Sequence, residues 1–146
     1  MPYPEEWVAP ARQELTQIGI RELKTADDVD AALKPASGTV MVVINSICGC
    51  AAANARPGVA MALQQGPRPD QATTVFAGQD MEATERAREY FLPQPPSSPS
   101  VALMREGRLV YMLHRNRIEG RSPQEIAADL RGAFDEYCAP EAATSS

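Results

Sequence analysis

The sequence predicts a single-domain α/β sandwich, a mixed sheet with helices on both faces. Three observations carry that prediction. Short β-type runs alternate with amphipathic helical segments, which calls for crossover connections and a parallel part of the sheet. The run "TVMVVIN", residues 39 to 45, is continuously apolar and β-branched, as a strand covered on both faces must be. Finally, "SVALMREGRLVYMLH" reads as two β-type runs around Glu106-Gly107, a closing hairpin that makes part of the sheet antiparallel.

In chain order, Val8, Ala11, Leu15 and Ile18 recur at intervals of three and four, so the first helix has one apolar face and turns Arg12, Gln13, Glu14 and Gln17 outward. Pro10 fits only its first turn. "IRELKT" is a short strand, and "TADDVDAAL" is a helix with Thr25 as N-cap and Asp28 three residues on, a variant of the capping box. Pro35 and Gly38 end it. After the apolar strand, "GCAAANARPGVAMALQQG" is helical in propensity, with a kink expected near Pro57, until Gly66-Pro67 stops it.

"TTVFAG", residues 73 to 78, is the next β-type run, followed by a helix with Asp80 as N-cap and Met81, Thr84, Ala87 and Phe91 on one side. "LPQPPSSPS" breaks regular structure before the hairpin. The last helix opens at Ser122-Pro123-Gln124-Glu125, a capping box with proline at the first helical position, and carries the stripe Ile126, Leu130, Phe134 and Tyr137. The domain is read as residues 1–138, and the small polar residues 139–146 as a flexible C-terminal tail.

Composition narrows the function. Of the 146 residues, 44% are hydrophobic and 23% charged, and no segment approaches the roughly 20 apolar residues of a bilayer span. The N-terminus "MPYPEEWVAPARQEL" lacks the positive start and apolar core of a secretory signal, so a cytoplasmic location is expected. With a formal net charge of -5 and no basic stripe, nucleic acid is a poor partner.

The chemistry-bearing stretch is "VVINSICGCAAANARPG", residues 42 to 58. Cys48 falls just after the C-terminal end of the apolar strand, the sheet edge where ligands meet open α/β folds. There, helix N–H groups and the positive end of the helix dipole lower a thiol's pKa, which positions Cys48 as a nucleophile. Cys50, two residues on, is placed to attack a mixed disulfide on Cys48. With one intervening residue, a bond between the two is expected to be strained and easily reduced, helped by the permissive Gly49. Two buried structural cysteines are the bland alternative. A metal site needs further ligands, and Cys138 and His114 lack zinc-type spacing. Cys138 reads as a packed or fraying thiol, His114 as a surface histidine, and Arg56 as a solvated arginine. Ser98-Pro99 precedes a strand beside the central one, so a cis peptide there would set backbone groups next to the cysteines.

Four blocks, "VVINSICGCAAANARPG", "TVFAGQDMEATERAREYF", "PPSSPS" and "IEGRSPQEI", closely resemble the bacilliredoxin family, thioredoxin-like proteins with a Cys-Gly-Cys active site. The similarity runs from about Pro10 through Cys138. It implies a thioredoxin-like three-layer sandwich with an extra N-terminal helix, and sets Ser98-Pro99 at that fold's cis-proline loop, facing the cysteines. It also implies an enzyme without a bound cofactor or metal, which takes bacillithiol from the mixed disulfides of client proteins and uses bacillithiol as co-substrate. Cys48 would be the nucleophile and Cys50 the resolving thiol, with Gly49, Ser98 and Pro99 in support. Two alternatives stand beside it: a general disulfide isomerase or reductase of the same fold, and a metal or iron-sulfur carrier using Cys48, Cys50 and perhaps Cys138.

Overall fold

Seven consecutive buried residues from Thr39 to Asn45 form the middle of the molecule. The computed structural model describes residues 3–34 and 37–138. In chain order the elements are α1 (Glu5–Thr16), β1 (Arg21–Glu22), α2 (Ala26–Leu33), β2 (Thr39–Asn45), a π-helical turn (Ala51–Ala55) running into α3 (Arg56–Ala62), β3 (Gln71–Phe76), α4 (Met81–Tyr90), β4 (Ser100–Arg105), β5 (Arg108–Leu113), a 3-10 turn (Arg115–Arg117) and α5 (Pro123–Tyr137). Pro35 and the tail 139–146 lie outside the described residues.

The five strands lie in the order β1-β3-β2-β4-β5. β1, β3 and β2 run parallel, while β4 and β5 are antiparallel to β2 and β4 respectively. The alternating side chains of β2 explain its unbroken hydrophobicity: Met41 and Val43 enter the core beneath α3 and α5, whereas Val40, Val42 and Ile44 enter the core beneath α2 and α4. Glu106 and Gly107 turn the β4–β5 hairpin with φ of 51° and 78°, the left-handed pair a two-residue primed turn demands.

Helix ends largely follow their local chemistry. Ser122 and Glu125 make both halves of the capping box of α5. Thr25 accepts from the Asp28 N–H at 3.0 Å, but Asp28 returns its bond to the N–H of Lys24 rather than Thr25.

Several expectations fail for tertiary reasons. Arg12 does not face solvent: it is 7% exposed, and Ile18, placed on the apolar stripe, is 37% exposed. Arg12 is held by Glu5, Glu22 and Asp80 at 2.9, 2.6 and 2.7 Å, with its guanidinium over the Phe76 ring. α1 thereby joins β1 and the start of α4. Asp80 occupies the N-cap position of α4 but makes no side-chain cap bond, its carboxylate being taken by Arg12.

Pro10 lies inside α1, past the first turn, where both it and Glu6, whose carbonyl it leaves unpaired, face solvent. Of the side expected for α4, Thr84, Ala87 and Phe91 are buried, but Met81 is 48% exposed and Ala83 is buried in its place. Ahead of Pro57 the helix widens into the π turn, in which the Arg56 N–H reaches back to the Ala51 carbonyl.

Candidate active site

β2 delivers its last residue, Asn45, to the sheet edge, and four residues later the chain is helical. Between them, Cys48 caps the helix with its backbone: its carbonyl accepts the N–H groups of Ala51 and Ala52 at 3.1 and 3.2 Å. Its own N–H donates to Ser46 Oγ at 3.1 Å. The Cys48 and Cys50 sulfurs stand 2.9 Å apart, both thiols free and half-buried. Gly49 is exposed and helical, without a positive φ, and a Cβ there would meet nothing within 4 Å. With both thiols free, its conformation therefore does not require glycine.

The two sulfurs divide their acidity. Burial opposes the Cys48 anion, but the Cys50 thiol, the Ser46 hydroxyl and the N–H groups of Ala51 and Cys50 more than offset it, so Cys48 ionises below the ordinary thiol. Burial, the hydrogen bond to Cys48 and the charge of Cys48 push Cys50 up, with Arg115 opposing. Cys48 is thus the first of the pair to ionise, and once it has done so the remaining proton resides on Cys50.

Beneath the loop lies a buried arginine. Arg56 is 5% exposed rather than solvated. One Nη donates to Asn45 Oδ1 at 3.0 Å and to the Ser46 carbonyl at 2.8 Å, while Nε comes within 3.2 Å of Glu14 without the alignment of a hydrogen bond. Asn45 in turn accepts from the Ser46 N–H and donates to the Ala11 carbonyl on α1. Ile47 packs against Val8, Ala11 and Phe76. The residues that hold Cys48 thus come from α1, β2 and α3 together.

The opposite wall is the proline-rich loop. Ser100 pairs with Ile44, so Ser98 and Pro99 lie beside the exit of β2 toward Cys48, and the Ser98–Pro99 peptide is cis, as is Leu92–Pro93. Pro99 is buried. His114 is half-buried and bracketed: Ser97 Oγ is 2.7 Å from Nδ1 and Gln94 Oε1 is 2.9 Å from Nε2. It therefore ties the loop to the end of β5 instead of standing free at the surface. Arg115, which sequence reasoning passed over, donates to the Ser98 carbonyl at 3.3 Å and to Glu119 at 3.2 Å.

Cys138 stands apart. It packs against the α3–α5 core and meets Thr39, at the start of β2, whereas Cys48 lies beyond its end. Burial raises its pKa. A strand of seven residues spans about 20 Å, so Cys138 does not share a site with the pair. Among the described residues no group of three or more His, Cys, Asp or Glu is arranged to hold a metal ion, and no helix is long and apolar enough to cross a membrane.

Residues 3–138 match the family model described as disulphide isomerase. The chain is 53% identical to a bacilliredoxin of Koribacter versatilis over 144 residues, covering 99% of each chain. It is 56% identical to a bacilliredoxin of Salinibacter ruber, covering 99% of this chain and 86% of that one, and 54% identical to a bacilliredoxin of Geobacillus kaustophilus, covering 90% of each. Among solved structures it resembles a mutant thioredoxin of Halobacterium salinarum, with TM-score 0.57 and 14% identity over 84% of this chain and 94% of that one. Mitochondrial thioredoxin 3 of Saccharomyces cerevisiae gives TM-score 0.55 and 14% identity, covering 84% and 98%. The fold is thioredoxin-like.

Proposed function

The chain belongs to the bacilliredoxin family of thiol-disulfide oxidoreductases, and on that premise we propose that it removes bacillithiol from protein mixed disulfides, with Cys48 as nucleophile and Cys50 as resolving thiol. The observation that carries this reading is the unequal pair: a Cys48 thiol of lowered pKa, 2.9 Å from a Cys50 thiol of raised pKa, at the start of a helix.

The Cys48 thiolate attacks the bacillithiol sulfur of the mixed disulfide. The old S–S bond breaks, and the client leaves as a thiolate that takes a proton from water, while bacillithiol remains on Cys48. The same attack consumes the charge that held the Cys50 proton, so Cys50 ionises more readily when it is needed. Cys50 then attacks the Cys48 sulfur and expels bacillithiol as thiolate, storing the two oxidising equivalents as a Cys48–Cys50 disulfide. Alternatively, a second bacillithiol attacks the bacillithiol sulfur held on Cys48 and leaves as the symmetric disulfide. Ser98 and Pro99 supply the backbone wall against which the substrate disulfide lies, and Gly49 leaves its approach open. On this reading no cofactor or metal takes part, bacillithiol is the co-substrate, bacillithiolated proteins are the partners, and the work belongs in the reducing cytoplasm.

The test is mass spectrometry of the protein mixed with a bacillithiolated client. Cys50→Ala should accumulate bacillithiol on Cys48 as the client is freed, and Cys48→Ala should free none. Client release by Cys48→Ala, or no adduct in Cys50→Ala, would sink the mechanism. A general disulfide isomerase is the second reading, favoured by the description of the matching family model. It predicts rescue of a scrambled disulfide protein at a rate comparable to removal of bacillithiol.

A further inference from the structure

Beside the cysteines runs an open groove of about 390 Å³ between the proline-rich loop and the corner that follows β5. Pro95 and Pro96 line it on one side, and His114, Arg115, Asn116 and Glu119 on the other. The mechanism above uses none of these side chains, yet the groove is built onto the active site. Arg115 donates to the carbonyl of Ser98, the residue of the cis peptide beside the exit of β2. His114, with Ser97 at Nδ1 and Gln94 at Nε2, locks the two sides of the groove together.

Arg115 is the cation among the lining residues, and only part of its donor set is taken. One bond goes to Ser98 and one to the exposed Glu119, leaving its remaining N–H donors without a partner among the described residues. Its charge also reaches the reacting pair: it favours the Cys50 thiolate, and both sulfurs hold the guanidinium proton more firmly. A planar guanidinium with spare donors, beside a thiolate and above a groove of small-molecule size, suits a carboxylate.

We propose that this groove receives the non-reacting end of the small thiol in the mixed disulfide, and that Arg115 selects a thiol bearing a carboxylate there. The inference rests on the proposed function and adds its specificity. Glu119 competes with the incoming carboxylate for the same guanidinium, which weakens binding and eases release.

The experiment uses one cysteine peptide capped by mercaptosuccinate, which carries two carboxylates, or by 2-mercaptoethanol, which carries none. Each cap is placed on a peptide with Glu flanks and on one with Gln flanks. Wild type should favour the mercaptosuccinate cap on either peptide. Arg115→Gln should raise KM for that cap about fivefold, as expected of one exposed ion pair, and KM for the 2-mercaptoethanol cap less than about twofold, any change in kcat being common to both caps. Glu119→Gln should move KM the opposite way.

Equal slowing of both caps by Arg115→Gln would mean that the arginine acts on the thiols and not on the ligand, and would overturn the proposal. So would an effect that follows the Glu flanks instead of the cap. If wild type releases the peptide from neither cap, the thiol-exchange reading itself fails. If wild type releases both and Arg115→Gln leaves the preference intact, only the groove assignment fails.

Discussion

Replacing Ser46 by Ala removes the one hydroxyl that both receives the Cys48 N–H, at 3.1 Å, and lies against its sulfur. Ser46 is 9% exposed, so water does not readily take its place. A hydrogen bond of this kind is worth about 0.5–1.5 kcal/mol net, which converts to roughly a 2- to 12-fold smaller ionisation constant, and to a thiolate population smaller by that factor at pH below the midpoint. The thiolate that remains is more basic and more nucleophilic, with a Brønsted slope of about 0.4–0.5, so roughly half of the logarithmic loss is recovered. The net expectation is iodoacetamide alkylation of Cys48 slower by about 1.5- to 4-fold at pH below the midpoint. The plateau at high pH should instead be faster. The assay is the pH profile of that rate, with Cys48 identified by peptide mass. A Ser46→Ala profile whose midpoint stays put or moves down, in a variant that melts like wild type, would refute the account of how Cys48 is activated.

Other perturbations probe the frame. Arg12→Met leaves Asp80 and Glu22, whose side chains are only 15% and 21% exposed, without their cation; breaking a buried pair costs about 3–5 kcal/mol, so Tm should fall by roughly 10 °C, and a shift under about 2 °C would show the network to be idle. Gly58→Ala would set a Cβ 2.6 Å from Ile126 Cγ2, forcing α3 from α5; overpacking of this sort costs about 1–3 kcal/mol in thermal or denaturant melts, and a neutral result would contradict the close helix contact. The pair should also leave a pH signature. Cys48 ionises below the ordinary 9.0 and Cys50 above it. Folded protein therefore loses its first proton more readily than the unfolded chain and its second less readily. Relative to the Cys48→Ala/Cys50→Ala variant, reduced wild type should gain stability as pH rises through the Cys48 ionisation toward 9.0 and lose it above; a flat difference would deny the split.

The parts legible in the sequence are those whose cause is local. The unbroken apolar run at 39–45 could only be a strand covered twice, and the alternation of β-type and helical segments before a closing hairpin left few topologies to consider. Cys48 and Cys50 announce themselves because a strand end, a helix start and two thiols lie within a few residues, where dipole and N–H groups act at short range. Ser122-Pro123-Gln124-Glu125 caps α5 for the same local reason.

Arg12 and Arg56 mark the other side of the line. Each sits among residues that favour a helix, and a charge in such a segment reads as solvent-facing by default. Each is buried because carboxylates and carbonyls from other elements converge on it: Glu22 and Asp80 on Arg12, and Asn45, Ser46 and Glu14 on Arg56. The same holds for Ser97, His114 and Arg115, brought to the cysteines only when β4 pairs with β2 and β5 with β4. The chain by itself determined the strand, the helix start and the thiols on them, since those are matters of spacing. Which thiol keeps the proton is also settled close by, through Ser46, Ala51 and the other cysteine. What props the loop from beneath and what stands across from it were decided by tertiary contact, because α1 must meet β2 and α3, and the proline-rich loop the end of β5, before those hydrogen bonds and charges can act.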